Sequence, residues 1–235
     1  MWGEYFNKME QNLLNEIKNQ KINRSLIKDE TYVILNKWIV TGKLKPESKI
    51  NINELSEVLG ISRTPVREAI LKLEENGLVL SKANSWTIVA PIDLKEAKDS
   101  YPIVSSLECL ALKIGFEKIT EEDISELKYL NAKVKLAIDS QKQEETLEAD
   151  NEFHKKIISL SGNLELYPII ENLKNKFQRI ELYFFENVDN KFNSFEEHAA
   201  IIEAIKEKDL EKSINALKIN WENSLELLYE KAKFE

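Results

Sequence analysis

The chain is poor in the residues that make crosslinked or turn-rich folds. It holds a single cysteine, Cys109, in 235 residues, which excludes an internal disulfide framework and suits a reducing compartment. Its neighbours Leu107, Leu110 and Ala111 point to a buried small hydrophobe rather than a reactive thiol. Six glycines and five prolines are too few for a turn-rich β architecture and favour long helices. No apolar run approaches the roughly 20 residues of a membrane span. The opening MWGEYFNKME sets acidic residues where a signal peptide needs a basic and then an apolar region. A cytoplasmic protein with no membrane partner is expected. Arginine is also scarce: Arg24, Arg63, Arg67 and Arg179 stand against twenty-nine lysines, and only two histidines exist, His154 and His198.

What is present describes a globular chain, 43% hydrophobic and 31% charged. Its net charge of −8 is unevenly spread. Residues 1–91 carry 13 basic and 11 acidic groups, whereas 92–235 carry 20 basic and 30 acidic, so the acidity belongs to the carboxy-terminal part. Any contact with a polyanion must come from a small local surface of the first part.

Residues 4–19 have a narrow apolar stripe at helical spacing, and 28–41 form a stronger helix ending at Gly42. NELSEVLGISRTPVREAILKLEENG, residues 53–77, then reads as two short amphipathic helices hinged at Gly60. Ile52, Leu55, Val58 and Leu59 are expected to pack the first helix on the second, which buries Val66, Ala69, Ile70 and Leu73. Ser62 is placed to cap the second helix, and Pro65 suits its first turn. Arg63, Thr64 and Arg67 point away from the core, at a helix end that favours phosphate. Arginine is the usual bidentate reader of guanine, although a solvated helix face pairing with Glu68 has the same spacing. Segments 78–81 and 86–89 form a β-hairpin around Ala83, Asn84 and Ser85.

From 93 to 232 only helical periodicity is visible, over 93–117, 121–140, 144–161, 164–188, 195–208 and 210–232, with Pro102 expected to kink or split the first. The predicted fold is mainly α: an N-terminal winged helix-turn-helix with a small β-hairpin wing, then an all-α antiparallel bundle. The expected division is a helical extension 1–27, a DNA-binding domain 28–91 and an all-helical second domain 92–235. In the bundle Asp150 and His154 share one helix face, as metal ligands or as a surface ion pair, and His198 opens another helix.

Residues 42–91 resemble the amino-terminal domain of GntR-family transcription regulators. GKLKPES is similar to their G-x-L-x-P-G stretch, and ELSEVLGISRTPVREAILKLEENGLV to their most recognisable segment. The resemblance implies that Arg63, Thr64 and Arg67 contact operator bases and phosphates, with Ser62 and Pro65 among them. It puts Asn53 where relatives often carry arginine, within reach of a phosphate. At the wing tip relatives often read Asn-Arg-Gly. Here Asn84, Ser85 and Trp86 stand there, which leaves Lys82 and Asn84 as the polar candidates.

Residues 93–232 resemble the FCD-type effector domain of the FadR subfamily. That resemblance implies a divalent metal (zinc, nickel or manganese-like) held by Asp150, His154 and His198, with the fourth position falling on Asn220, a weaker neutral ligand. It further implies a small-molecule effector such as an organic acid. The arginine that relatives carry early in the first effector helix has no counterpart in Pro102 to Ser106. The function expected is a ligand-responsive repressor, not an enzyme, that binds a palindromic double-stranded DNA operator as a homodimer. The alternatives are a metal-dependent enzyme built on Asp150, His154 and His198, and a ligand sensor with impaired DNA binding.

Overall fold

A computed structural model describes residues 23–82, 85–185 and 193–232. The helix expected over 4–19 and the wing candidate Asn84 lie outside the described residues. Packing divides the chain into two units, one of residues up to 37 with 49–88, the other of 38–48 with 89 onward.

The first unit has the order helix, helix, helix, hairpin: α1 (Asn23–Val40), α2 (Ile52–Leu59), α3 (Arg63–Glu75), β1 (Val79–Lys82) and β2 (Trp86–Val89). Asn51 starts α2 by accepting the Asn53 amide on its side chain, at 3.0 Å. Gly60 stops α2 in the left-handed region at φ 66°, where the Ile61 amide turns back onto the Ser56 carbonyl at 3.1 Å. This turn lets α3 leave sharply, so that Leu55 on α2 is buried along with Val66, Ala69, Ile70 and Leu73 on α3 and Leu78 and Val79 after it. Val58 does not join that core and is 71% exposed. The buried face of α2 centres on Leu55, Ser56 and the half-buried Ile52 and Leu59. At 100° per residue Val58 falls about a third of a turn off it.

Ser62 also departs from expectation. It occupies the N-cap with extended backbone, yet its side chain makes no capping hydrogen bond. A serine cap seeks the amide two or three positions into the helix, and one of the two is missing here, because the third position is Pro65.

The second unit is built from helices α4 (Leu94–Gly115), α5 (Glu121–Asp139), α6 (Gln143–Ser159), α7 (Leu166–Phe185), α8 (Ser194–Lys206) and α9 (Leu210–Ala232), with a 3-10 turn at Phe116–Lys118. Thr120 and Asp123 form a reciprocal capping box at the start of α5. Helix α4 packs on α6, α7 and α9, and α8 on α5 and α9. Their shared core includes Tyr101, Val104, Leu112, Phe153, Ile157, Ile170, Phe177, Ile201 and Leu217.

Pro102 neither splits nor ends α4, which runs unbroken through it. Its ring is exposed, and the carbonyl it leaves without an intrahelical donor belongs to Lys98, also exposed, where water can serve. Arg179 on α7 is buried and donates to the carbonyls of Ala90 (2.7 Å) and Pro91 (2.8 Å), with Glu96 at 3.1 Å. This arginine fixes the chain where it enters the unit. Among the described residues no helix is long and apolar enough to cross a membrane.

Gly115 marks a close backbone approach in the unit. A Cβ added there would overlap the carbonyl group of Leu160 and crowd the Ser161 amide. Because backbone cannot swing aside as a side chain does, Gly115→Ala is expected to destabilise the protein by about 3 kcal/mol, the upper part of the overpacking range. Urea midpoints of the two proteins check this, and equal midpoints would contradict the close approach.

Candidate operator interface and candidate metal centre

The tip of α3 presents its polar side chains outward. Ser62, Arg63, Thr64 and Arg67 are exposed and Pro65 is half-buried beside them. Arg63 and Arg67, four residues apart, lie on the same flank of the helix. Among the described residues neither guanidinium takes part in a hydrogen bond or ion pair, so the alternative pairing with Glu68 is not formed. The uncapped Ser62 hydroxyl and the free first-turn amides add neutral donors to the same end, where the helix dipole favours an anion. Asn53, exposed in the first turn of α2, and Lys82, exposed at the end of β1, lie in the same unit. Trp86 is 39% exposed at the start of β2.

In the second unit, Asp150 and His154 come from α6 and His198 from α8, and one potential ligand atom of each lies within 4.8 Å of the others. Asp150 Oδ1 is 3.4 Å from His198 Nε2, and Asp150 Oδ2 is 3.7 Å from His154 Nε2. A tetrahedral ion with bonds of about 2.0 Å separates its ligands by roughly 3.3 Å, so these side chains need only small shifts to converge. Both histidines are almost wholly buried, while Asp150 keeps partial exposure.

His198 shows most directly what the group fits. Neither of its ring nitrogens has a hydrogen-bond partner among the described residues, an expensive state for a buried imidazole. Its ring stacks on Phe153 at 3.8 Å and 9°. Burial, reinforced by His154 and Lys174, holds its pKa well below the ordinary histidine value. It is therefore a neutral base with an unused lone pair, which is what a metal ligand must be. Two such nitrogens and one carboxylate form a donor set suited to a first-row divalent ion.

Asn220, the fourth position implied by resemblance, is 2% exposed on α9. Its amide nitrogen donates to Glu197 Oε2 at 2.8 Å, while Asn223 donates to Oε1 of the same carboxylate at 2.7 Å. Glu197 thus fixes which end of the amide is the nitrogen, and only the carbonyl oxygen remains to meet a cation.

Behind the histidines lies a buried polar cluster that sequence reasoning missed. Glu108 on α4 is 0% exposed. Its Oε2 accepts from His154 Nδ1 at 2.6 Å and from Trp221 Nε1 at 3.0 Å, and Lys174 Nζ stands 3.6 Å from Oε1. Burial alone would raise the carboxyl pKa, but His154, Lys174 and the two hydrogen bonds bring it below the usual value. Nearby, Tyr101 donates to Glu181, whose pKa burial pushes up to about 7. Cys109 is buried too, and burial raises its thiol pKa.

The arrangement is that of a winged reader joined to a helical sensor with a buried imidazole–carboxylate cluster. Residues 99–222 match the FCD domain family and residues 27–89 the family described as bacterial regulatory proteins, gntR family. The chain belongs to the FCD-domain regulators of the GntR family. It is 26% identical over 183 residues to the HTH-type transcriptional repressor RspR of Escherichia coli strain K12, across 78% of this chain and 80% of that one. It is 28% identical over 192 residues to the HTH-type transcriptional regulator McbR of the same strain, across 80% of this chain and 86% of that one. The solved structure of E. coli McbR/YncC superposes with a TM-score of 0.78 at 24% identity, covering 88% of this chain and 98% of its own. A solved metal-free FCD domain of TM0439 superposes with a TM-score of 0.50, covering 62% of this chain. These relatives are transcriptional regulators, and the metal-dependent enzyme reading is set aside with them.

Proposed function

We propose that the chain is a ligand-responsive repressor that binds a palindromic operator as a homodimer in the cytoplasm, with residues 28–91 as reader and 92–235 as sensor. In this reading Arg63 and Arg67 take guanine edges, while Ser62, Thr64, Asn53 and Lys82 hold phosphates. Pro65 shapes the turn between them. A homodimer would set two such helices on half-sites about one helical turn apart. In the sensor, Asp150, His154 and His198 would hold a zinc, nickel or manganese-like ion, with the Asn220 carbonyl as a weak fourth ligand. When bound, such an ion offers a Lewis-acidic position to an oxygen of a small effector, an organic acid among the candidates.

The observation that carries the reading is the pair of exposed guanidinium groups, unengaged among the described residues, on an otherwise lysine-based chain. Affinity for its own upstream DNA should fall steeply with salt, log K dropping about 0.9 per neutralised phosphate for each tenfold rise. It should exceed affinity for a scrambled duplex by at least a thousandfold, about 4 kcal/mol. Mobility-shift titrations at several salt concentrations measure both. Equal binding to the scrambled duplex would remove operator recognition, and would favour a sensor with impaired DNA binding, the reading that the uncharged Ser85 and Trp86 support.

A further inference from the structure

We propose that Glu108 is the positioning residue of the Asp150–His154–His198 constellation, holding the His154 proton on Nδ1 so that Nε2 faces Asp150 as a free lone pair. The inference deepens the metal-centre reading and rests on it. Its geometry is within one buried cluster. A carboxylate oxygen only accepts, so at 2.6 Å from Glu108 Oε2 the proton of this contact belongs to Nδ1. In the neutral ring the other nitrogen, 3.7 Å from Asp150 Oδ2, then carries no proton to hinder coordination.

Glu108 is itself held from three directions. Trp221 on α9 donates to the oxygen that His154 uses, Lys174 on α7 faces the other oxygen, and the backbone of α4 carries the side chain. The Lys174 ammonium also lies 5.0 Å above the Trp221 ring. Four helices therefore meet at one carboxylate, and a small turn of the His154 ring would break a contact fixed by all of them. Solvent does not supply this orientation, because Glu108 and the Lys174 nitrogen are shut off from it. A carboxylate behind a ligating imidazole fixes both tautomer and ring direction, and its removal typically costs 10- to 100-fold in metal affinity.

The test uses full-length protein labelled with 15N at histidine. Only two imidazoles exist, so both tautomers can be assigned. At about pH 8.5, above the ordinary imidazole range, metal-free wild type should show His154 protonated at Nδ1. The double variant Glu108→Met, Lys174→Met removes both charges of this pair together, so that neither is left facing an apolar side chain alone. Provided its circular dichroism is unchanged, His154 should shift toward the Nε2-protonated form. Zinc affinity by chelator competition should fall roughly 10- to 100-fold. Glu108→Gln, which keeps one acceptor oxygen, should recover most of that loss. A folded double variant with the wild-type tautomer and zinc affinity within about twofold overturns the proposal. Should the variant not fold, the wild-type spectrum still decides, since a proton on Nε2 of His154 overturns it equally. If wild type takes up no zinc, the metal reading fails, and the tautomer measurement judges Glu108 separately.

Discussion

Replacing Arg63 and Arg67 together with alanine is expected to erase operator preference while leaving the fold intact. Each bidentate arginine–guanine contact discriminates by about 1–3 kcal/mol, so losing two should weaken operator binding by roughly 30- to 25,000-fold. Stability should change by no more than about 0.5 kcal/mol, because both side chains are exposed and unengaged among the described residues. Arg67→Lys separates charge from shape. An ammonium keeps the phosphate attraction but lacks the planar fork, so the salt slope should persist while the ratio of operator to random binding falls. Fluorescence anisotropy with operator and scrambled duplexes reads both quantities. An alanine pair that retained the operator preference would show that the tip of α3 is a solvated surface. The metal cluster would then need another output.

The reader could be found from sequence because its signals are local. A short apolar stripe, Gly60 at a left-handed turn and two outward arginines all lie within 25 residues, and the helix order and hairpin follow. Details failed where neighbours competed. Pro65 removed one of the two amides that Ser62 could cap, and the short α2 turned Val58 away from its core. The sensor was half legible. Asp150 and His154 share one helix face, and His198 stands out because histidine is scarce, whereas Asn220 rests on counting along a resemblance alone.

Glu108 and Lys174 left a fainter trace. On α4 the buried positions Ala97, Tyr101, Val104, Glu108 and Leu112 follow helical spacing, so Glu108 interrupts an apolar stripe. On α7, Lys174 does the same between Ile170 and Phe177, and Glu181 follows the buried Phe177 and Ile180. A charge inside such a stripe signals a buried partner. The stripe cannot name the partner, because the register between helices is set by packing that no single period encodes.

Glu181→Gln is expected to change the pH dependence of stability in the metal-free protein. Burial raises the Glu181 carboxyl pKa from its usual 4.5 to about 7, with Tyr101 as its hydrogen-bond donor. Between those values the folded chain keeps a proton that the unfolded chain has released, so this group's contribution is largest below pH 4.5 and is lost as pH climbs through 7. A displacement of that size corresponds to about 3 kcal/mol. His198 acts in the opposite sense. Its depressed pKa means that the unfolded chain takes up the extra proton, which destabilises the fold as pH falls below about 6.5. The two trends offset one another in wild type, whose stability should vary little from pH 5 to 6.5. Glutamine cannot ionise yet still accepts from Tyr101, so the variant retains only the His198 trend. Its stability relative to wild type should rise by about 3 kcal/mol between pH 4.5 and 7. Urea unfolding in the presence of a chelator, repeated across that range, measures the difference directly. A difference that stays constant with pH would mean that Glu181 is ionised in the folded protein, and that the interior of the sensor carries one more negative charge for a bound cation to neutralise.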